Sequence, residues 1–259
     1  MPKCLVCYKW TLDEKDIKVN PEDLSLDLSR AKGKISDFDR NAIEAGAEIV
    51  EQQGGELDAL TYGTSTVKQS LKDVLSRGPG KVYWIADNSA EHADAYVTAN
   101  VLAAAIGKLG SYDLILCGEG SSDSFNRQTG PRLAALLGIP CVSYVLKLAV
   151  DGDTIKATRG LGDSTEIATV KGPVVLSVLG QLNHPRIPGL KQVLGASKKP
   201  NKEIKVGDLG LSPDKLQPKA VRKAVKGFAT KRKHITFKET DPSANVAKLM
   251  TSLVAEGLE

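Results

Sequence analysis

The stretch DLILCGEGSSDSFNRQTGPRLAALLGIP, from Asp113 to Pro140, changes character twice. Asp113 to Cys117 is an apolar, β-favouring run, the pattern of a buried strand. Gly118-Glu119-Gly120-Ser121-Ser122-Asp123 then breaks any regular element. From Arg127 to Leu137 apolar residues return at helical spacing, and Gly138 before Ile139-Pro140 ends that helix. Strand, glycine-bearing loop and helix make one βα unit of a parallel sheet. In such sheets ligands bind at the carboxyl ends of the strands. Free amides at a helix start, with the dipole behind them, favour phosphate. Arg127, Gln128 and Thr129 add donors on the first turn, and Gly118 and Gly130 allow close backbone approach. Asp123 either accepts from a ribose or holds the loop. An ordinary capped βα loop accounts for the local sequence about equally well. The stretch is neither a Walker A loop nor Gly-x-Gly-x-x-Gly.

Outward from this unit the same rhythm continues. Strands are expected at Cys4–Tyr8, Leu57–Tyr62 and Val82–Ala86. Helices are expected at Phe38–Gln53, Ser65–Ser76 and Glu91–Leu109, with Ser36 or Asp37 as a cap and Gly54-Gly55 as a stop. The fold class is therefore α/β, a parallel sheet flanked by helices. After Pro140 shorter strands follow at Cys141–Val150, Thr154–Thr158, Thr165–Val170 and Val174–Val178, with Asp151-Gly152-Asp153 as a turn. They read as a small antiparallel excursion that returns to the main sheet. Two further strand ends are candidate ligand positions: Cys7-Tyr8-Lys9, and Tyr62-Gly63-Thr64-Ser65.

The division expected is an α/β domain over 1–197 and a C-terminal arm over 198–259. The arm carries 14 basic and 7 acidic residues, a net of +7, against −3 for the first 197 residues. It is punctuated by Pro200, Pro213 and Pro218 and ends in a helix near Pro242–Glu256. Too few large apolar residues are present for a second core, so the arm is expected to order on a partner. Lys231-Arg232-Lys233 has no interleaved aromatics, which argues against nucleic acid. Cys4 and Cys7 fall on opposite faces of a strand, and His92, His184 and His234 are scattered, so metal binding is not expected. There is no Gly-x-Ser-x-Gly elbow, and no catalytic residue is proposed. The N-terminus MPKCLVCYKW lacks secretory-signal features and no apolar run would span a bilayer, so a cytoplasmic address is expected.

Taken in order, several segments resemble the electron-transfer flavoprotein β-subunit, close to the FixA-like bacterial branch. They are Cys7-Tyr8-Lys9, KISDFDRNAIEA at Lys34–Ala45, DVLSRGP at Asp73–Pro79, DLILCGEGSSD at Asp113–Asp123, QTGPRLAALLGIP at Gln128–Pro140, and LNHPRIPGLKQVLGASKKP at Leu182–Pro200. The resemblance covers essentially the whole chain. It implies an adenine-nucleotide α-hydrolase-like fold and a heterodimer with a larger α-subunit holding most of an electron-carrying FAD. It also implies a second nucleotide, FAD or AMP, in this subunit. The positions matching its site are Cys7, Lys9, Ser36, Tyr62, Gly63, Asp123 and Arg127 through Gly130. The partner-recognition loop matches Arg186–Ala196, with Leu190 as the docking leucine. The expected role is an electron carrier, not an enzyme. It would run between flavin dehydrogenases of acyl-CoA metabolism and a quinone reductase or other acceptor, with bifurcation left open. The alternatives are a stand-alone adenine-nucleotide-binding regulatory protein and an ATP-using ligase or hydrolase of the same fold. The latter needs a Ser-Gly-Gly-x-Asp loop that Cys7-Tyr8-Lys9-Trp10 lacks.

Overall fold

Apolar strands alternating with one-sided helices produce a sheet covered on both faces. The computed structural model describes residues 1–228 and 232–258. The sheet strands are β1 (Lys3–Tyr8), β4 (Glu56–Gly63), β5 (Lys81–Ala86), β6 (Leu114–Gly118), β7 (Cys141–Asp151), β8 (Thr154–Gly160), β9 (Thr165–Lys171), β10 (Val174–Val178) and β11 (Asn201–Glu203). Among the described residues they form one nine-stranded sheet in the order β9-β8-β7-β10-β6-β1-β4-β5-β11. From β7 to β11 every neighbouring pair is parallel. The β7–β8 and β8–β9 pairs are antiparallel, which is the expected excursion. A short ribbon, β2 (Trp10–Leu12) with β3 (Gly33–Ile35), is a further antiparallel pair that periodicity did not reveal.

The helices are α1 (Asp37–Gln53), α2 (Leu71–Ser76), α3 (Ala95–Leu109), α4 (Thr129–Leu137), α5 (Leu190–Ala196) and α6 (Pro242–Ala255). Successive residues of β1 face opposite sides of the sheet. Cys4, Val6 and Tyr8 join a cluster with Ile43 and Ala47 of α1 and Val74 of α2. Leu5 and Cys7 join a second cluster with Val101 and Ile106 of α3 and Leu133 of α4. Each fully buried Leu or Ile in these layers contributes about 1.5–3 kcal/mol by leaving water. The segment expected as one helix at Ser65–Ser76 is a 3-10 turn, Ser65–Ser70, running into α2. The Ser70 hydroxyl donates to Val67 O at 2.7 Å and pairs with Tyr8 Oη at 2.7 Å, which fixes that tighter turn.

The chain divides into two units, Met1–Lys18 with Asp27–Val225, and Val19–Leu26 with Lys226–Glu259. The first unit runs on past the boundary expected at 197. Its β11 extends the sheet edge beside β5, with Asn201 opposite Val82. Ile204 and Leu209 are buried in the α3-side cluster. The Lys199 ammonium donates to Leu75 O and Pro79 O at 2.8 and 2.7 Å. In the second unit α6 is capped by Asp241, whose Oδ1 accepts from Ser243 N at 3.0 Å, and exposes Val246, Leu249, Met250 and Val254. Lys231 of the basic cluster lies outside the described residues. Among the described residues no helix is long and apolar enough to cross a membrane.

Truncation distinguishes the two boundaries. A chain ending at Ser197 is expected to melt well below the full chain, because β11, Ile204 and Leu209 are lost. A chain ending at Val225 is expected to keep the body's midpoint. Thermal denaturation of both checks this; equal midpoints would overturn it.

Candidate functional site

Strand β1 has β4 on one side and β6 on the other, so the chain winds away from β1 in both directions. That reversal opens a crevice above the carboxyl ends of β1 and β6. A cleft of about 1000 Å³ lies there. Cys7, Lys9, Tyr62, Gly63, Gly118, Asp123, Arg127, Gln128 and Thr129 all line it. Three separately read strand ends thus converge on one place. Ser36 and Gly130 do not line it. Ser36 is fully buried, and its hydroxyl accepts from Ser122 N at 3.1 Å. It holds the Gly118–Asp123 loop from behind. Gly130 is packed so closely that an added Cβ would sit 3.1 Å from Cys117 Sγ.

The floor is built by a residue the sequence reading did not single out. Asp39, in the first turn of α1, accepts from Lys9 N at 2.8 Å and from Gly118 N at 2.9 Å. It thereby ties the ends of β1 and β6 together. Gly118 is required at this crossing, since a Cβ would approach Asp39 Oδ1 and Phe38 Cβ to 2.7 Å. Burial pushes the Asp39 carboxyl up to about 7, against the Lys9 and Gly118 amides and the Lys9 charge, which lower it. Burial likewise pushes the Cys7 thiol up to about 12, so Cys7 offers the cleft an uncharged surface.

Above the floor, Lys9 Nζ donates to Asp123 Oδ2 at 2.5 Å. Burial would raise the Asp123 carboxyl, but the Lys9 ammonium holds it below its ordinary value. Asp123 Oδ1 also accepts from Ser124 N at 2.8 Å, so the side chain organises its own loop. Phe125 and Arg127 both adopt left-handed backbone, with φ of 45° and 56°. Such conformations are costly for non-glycine residues and need support from surrounding contacts. The Arg127 guanidinium lies 4.4 Å from the Phe125 ring centre, and Phe125 stacks on Phe38 at 5.3 Å. Gln128 occupies the N-cap of α4 but makes no side-chain cap; its Oε1 accepts from Arg132 Nε at 2.8 Å. The first amides of α4 therefore lack a side-chain acceptor from the cap. On the far wall Tyr62 Oη pairs with Ser89 Oγ at 2.8 Å, and Ser89 Oγ donates to Asp87 Oδ1 at 2.6 Å.

Behind the loop, the buried Glu119 carboxylate accepts from Tyr144 N at 2.9 Å and Ser177 Oγ at 2.7 Å. It anchors the loop to β10 and β7. Glu119 and Asp39 were invisible as site residues because each acts on backbone far away in sequence. Among the described residues no group of three or more His, Cys, Asp or Glu could hold a metal ion.

Leu190 stands apart from the cleft. It opens α5 and is 75% exposed, with Ile187 at 93% and Leu194 at 60%.

A family model for the electron transfer flavoprotein domain matches residues 23–209. The chain belongs to that family. The matched span contains the crossing of β6 over Asp39, the loop to α4, and α5. Members of the electron transfer flavoprotein domain family are electron carriers associated with flavin. The cleft is lined by Thr129 at the start of α4, by the cations Lys9 and Arg127, and by the apolar residues Cys7, Val67 and Leu102.

The raised Asp39 gives a pH signature. Its folded value near 7 exceeds its unfolded value of 3.8, so the folded chain holds this proton more tightly. The associated stability is full below the unfolded value and is lost as pH rises through the folded value. The stability of the parent relative to D39N is therefore expected to fall between pH 5 and 7 and level off at about pH 8. Thermal midpoints across that range check this, and a constant difference would refute it.

Proposed function

We propose that this chain is the β-type, FixA-like subunit of a heterodimeric electron-transfer flavoprotein. Its cleft would hold a second nucleotide, and its α5 face would dock a flavoprotein donor or acceptor. The observation that carries the reading is the convergence at the β1–β6 crevice of the α4 start at Thr129, Arg127, and the Lys9–Asp123 pair. The helix amides and Arg127 suit phosphate oxygens. Lys9 is already engaged with Asp123, leaving that carboxylate to shape the loop or accept from a ribose. Tyr62, held by Ser89, lines the opposite wall. The FixA-like resemblance favours a dinucleotide, FAD, over AMP. When bound, flavin supplies the electron-carrying chemistry; the residues supply position, charge balance and exclusion of water.

The docking part rests on a fixed loop. The Arg186 side chain donates to Glu44 Oε1 at 2.9 Å through Nη2 and to Glu44 Oε2 at 2.8 Å through Nε. It also donates to Glu51 Oε2 at 3.0 Å. Asn41 Nδ2 donates to Gly180 O and Asn183 O at 3.2 and 2.9 Å. The base is thus pinned to α1, while Ile187, Leu190 and Leu194 face outward. A small apolar face on a held loop suits reversible docking. The second unit, with the exposed face of α6, would embrace the α-subunit. A stand-alone nucleotide-binding protein would leave both surfaces without a use.

Co-expression with the neighbouring α-subunit, followed by denaturation and chromatography of released nucleotides, tests the cofactor assignment. Two FAD per heterodimer is the expected result, and one FAD with one AMP would move the site to a mononucleotide. For docking, Leu190→Asp is expected to slow reduction by an acyl-CoA dehydrogenase-type donor by about tenfold or more, with flavin content unchanged. Stopped-flow reduction measures this; a parental rate would remove Leu190 from the interface.

A further inference from the structure

The first unit ends by turning back over its own cleft. Residues 206–216 form two 3-10 turns on α3, Val206–Leu209 and Pro213–Leu216. Leu209 is buried there, and Leu211 and Leu216 pack on the same apolar cluster. The Lys215 and Lys219 ammonium groups lie 5.6 and 5.2 Å from the Tyr96 ring centre. From Pro218 to Val225 there is no helix or strand, yet this segment supplies one wall of the cleft. Val221 and Val225 in that wall are 70% and 57% exposed, so the apolar surface is presented but not covered.

One side chain accepts the hydrogen bonds of this wall. Asp94 sits at the N-cap of α3, where its Oδ1 accepts from Val97 N at 2.9 Å. Its Oδ2 accepts from Lys219 N at 2.7 Å and Ala220 N at 3.0 Å. Among the described residues these two are the only hydrogen bonds made by residues 218–225. Burial works to raise the Asp94 carboxyl, but the converging amides hold it below its ordinary value, so both oxygens stay acceptors at neutral pH.

We propose that residues 218–225 are a strap closing the nucleotide cleft and that Asp94 is the positioning residue that latches it. The proposal rests on the nucleotide reading above. One carboxylate thus does two separable tasks, capping α3 with one oxygen and fixing the strap with the other. The strap brings Val221, Ala224 and Val225 as an apolar cover for a base or ring. It also brings Arg222, which forms no ion pair among the described residues, as a third cation in the cleft. An unlatched strap keeps only its chain ends and the Lys219–Tyr96 contact, so bound nucleotide would leave faster.

The test separates the two oxygens in the full chain, purified with its α-subunit. Asp94→Asn and Asp94→Ser keep an oxygen for Val97 N but cannot accept from both strap amides. Asp94→Ala loses both tasks. Expected for the Asn and Ser variants are a near-parental thermal midpoint, loss of hydrogen-exchange protection at Lys219 and Ala220, and about tenfold faster release of AMP or FAD. Asp94→Ala is expected to lower the midpoint as well. Parental release rates in variants whose two amides have lost protection would overturn the strap. Failure of the parent to bind either AMP or FAD would overturn the nucleotide reading, and the strap's gating role with it. The exchange data, which need no nucleotide, would still report the latch.

Discussion

Two backbone amides at the ends of adjacent strands set the architecture of the cleft. Where a parallel sheet reverses its winding, neighbouring strands send their following loops apart. Lys9 N and Gly118 N then have no ladder partner beside them. A buried amide without an acceptor is costly. Asp39 accepts from both, and its place in the first turn of α1 sets the helix dipole in its favour. The rest is a consequence of that bond pair. Residue 118 must be glycine for α1 to come so close. The loop after it must lift away, and Ser36 and Ser122 fix how far. Lys9, held by its backbone, has its ammonium free to reach Asp123.

Strand ends were legible because buried parallel strands are written locally, in runs such as Asp113 to Cys117. The helix starts near them were legible to within a few residues: α4 begins at Thr129 and not at Arg127, whose left-handed backbone excludes it from the helix. Glycine spacing drew attention to Gly118 and Gly130, but could not say that one lines the cleft while the other packs behind it. Nor could it say that Ser36 serves a loop some 86 residues away. Asp39, Asp94 and Glu119 were unreadable for one reason. Each is a carboxylate satisfying backbone amides that the sequence leaves distant, and an isolated Asp in a helix's first turn looks like any other cap. The 198–225 segment reads as arm because it is basic and rich in proline. Among its apolar residues, Ile204 and Leu209 are nevertheless spaced to reach an existing core.

Helix α1 connects the two surfaces on which the functional reading depends. Its first turn supplies Asp39 to the cleft. Further along, Asn41, Glu44 and Glu51 hold the segment from Gly180 to Arg186. The intervening apolar side chains, Ala42, Ile43 and Ala47, are packed against the sheet. Cleft floor and loop base are therefore mounted on one rigid rod, not on two independently moving loops. Under the proposed function, such a mounting would keep a nucleotide in the cleft at a fixed distance from a docked partner.

The bolted base beneath Ile187, Leu190 and Leu194 bears on timing. A loop that must order itself on contact loses entropy at every encounter and slows its own capture. Here the base of the loop is already tied to α1 in the folded chain. Three exposed side chains bury too little apolar area for a long-lived complex. Capture would then be quick and residence brief, so a carrier with this face would be limited by how often it meets its partners and not by how long it stays.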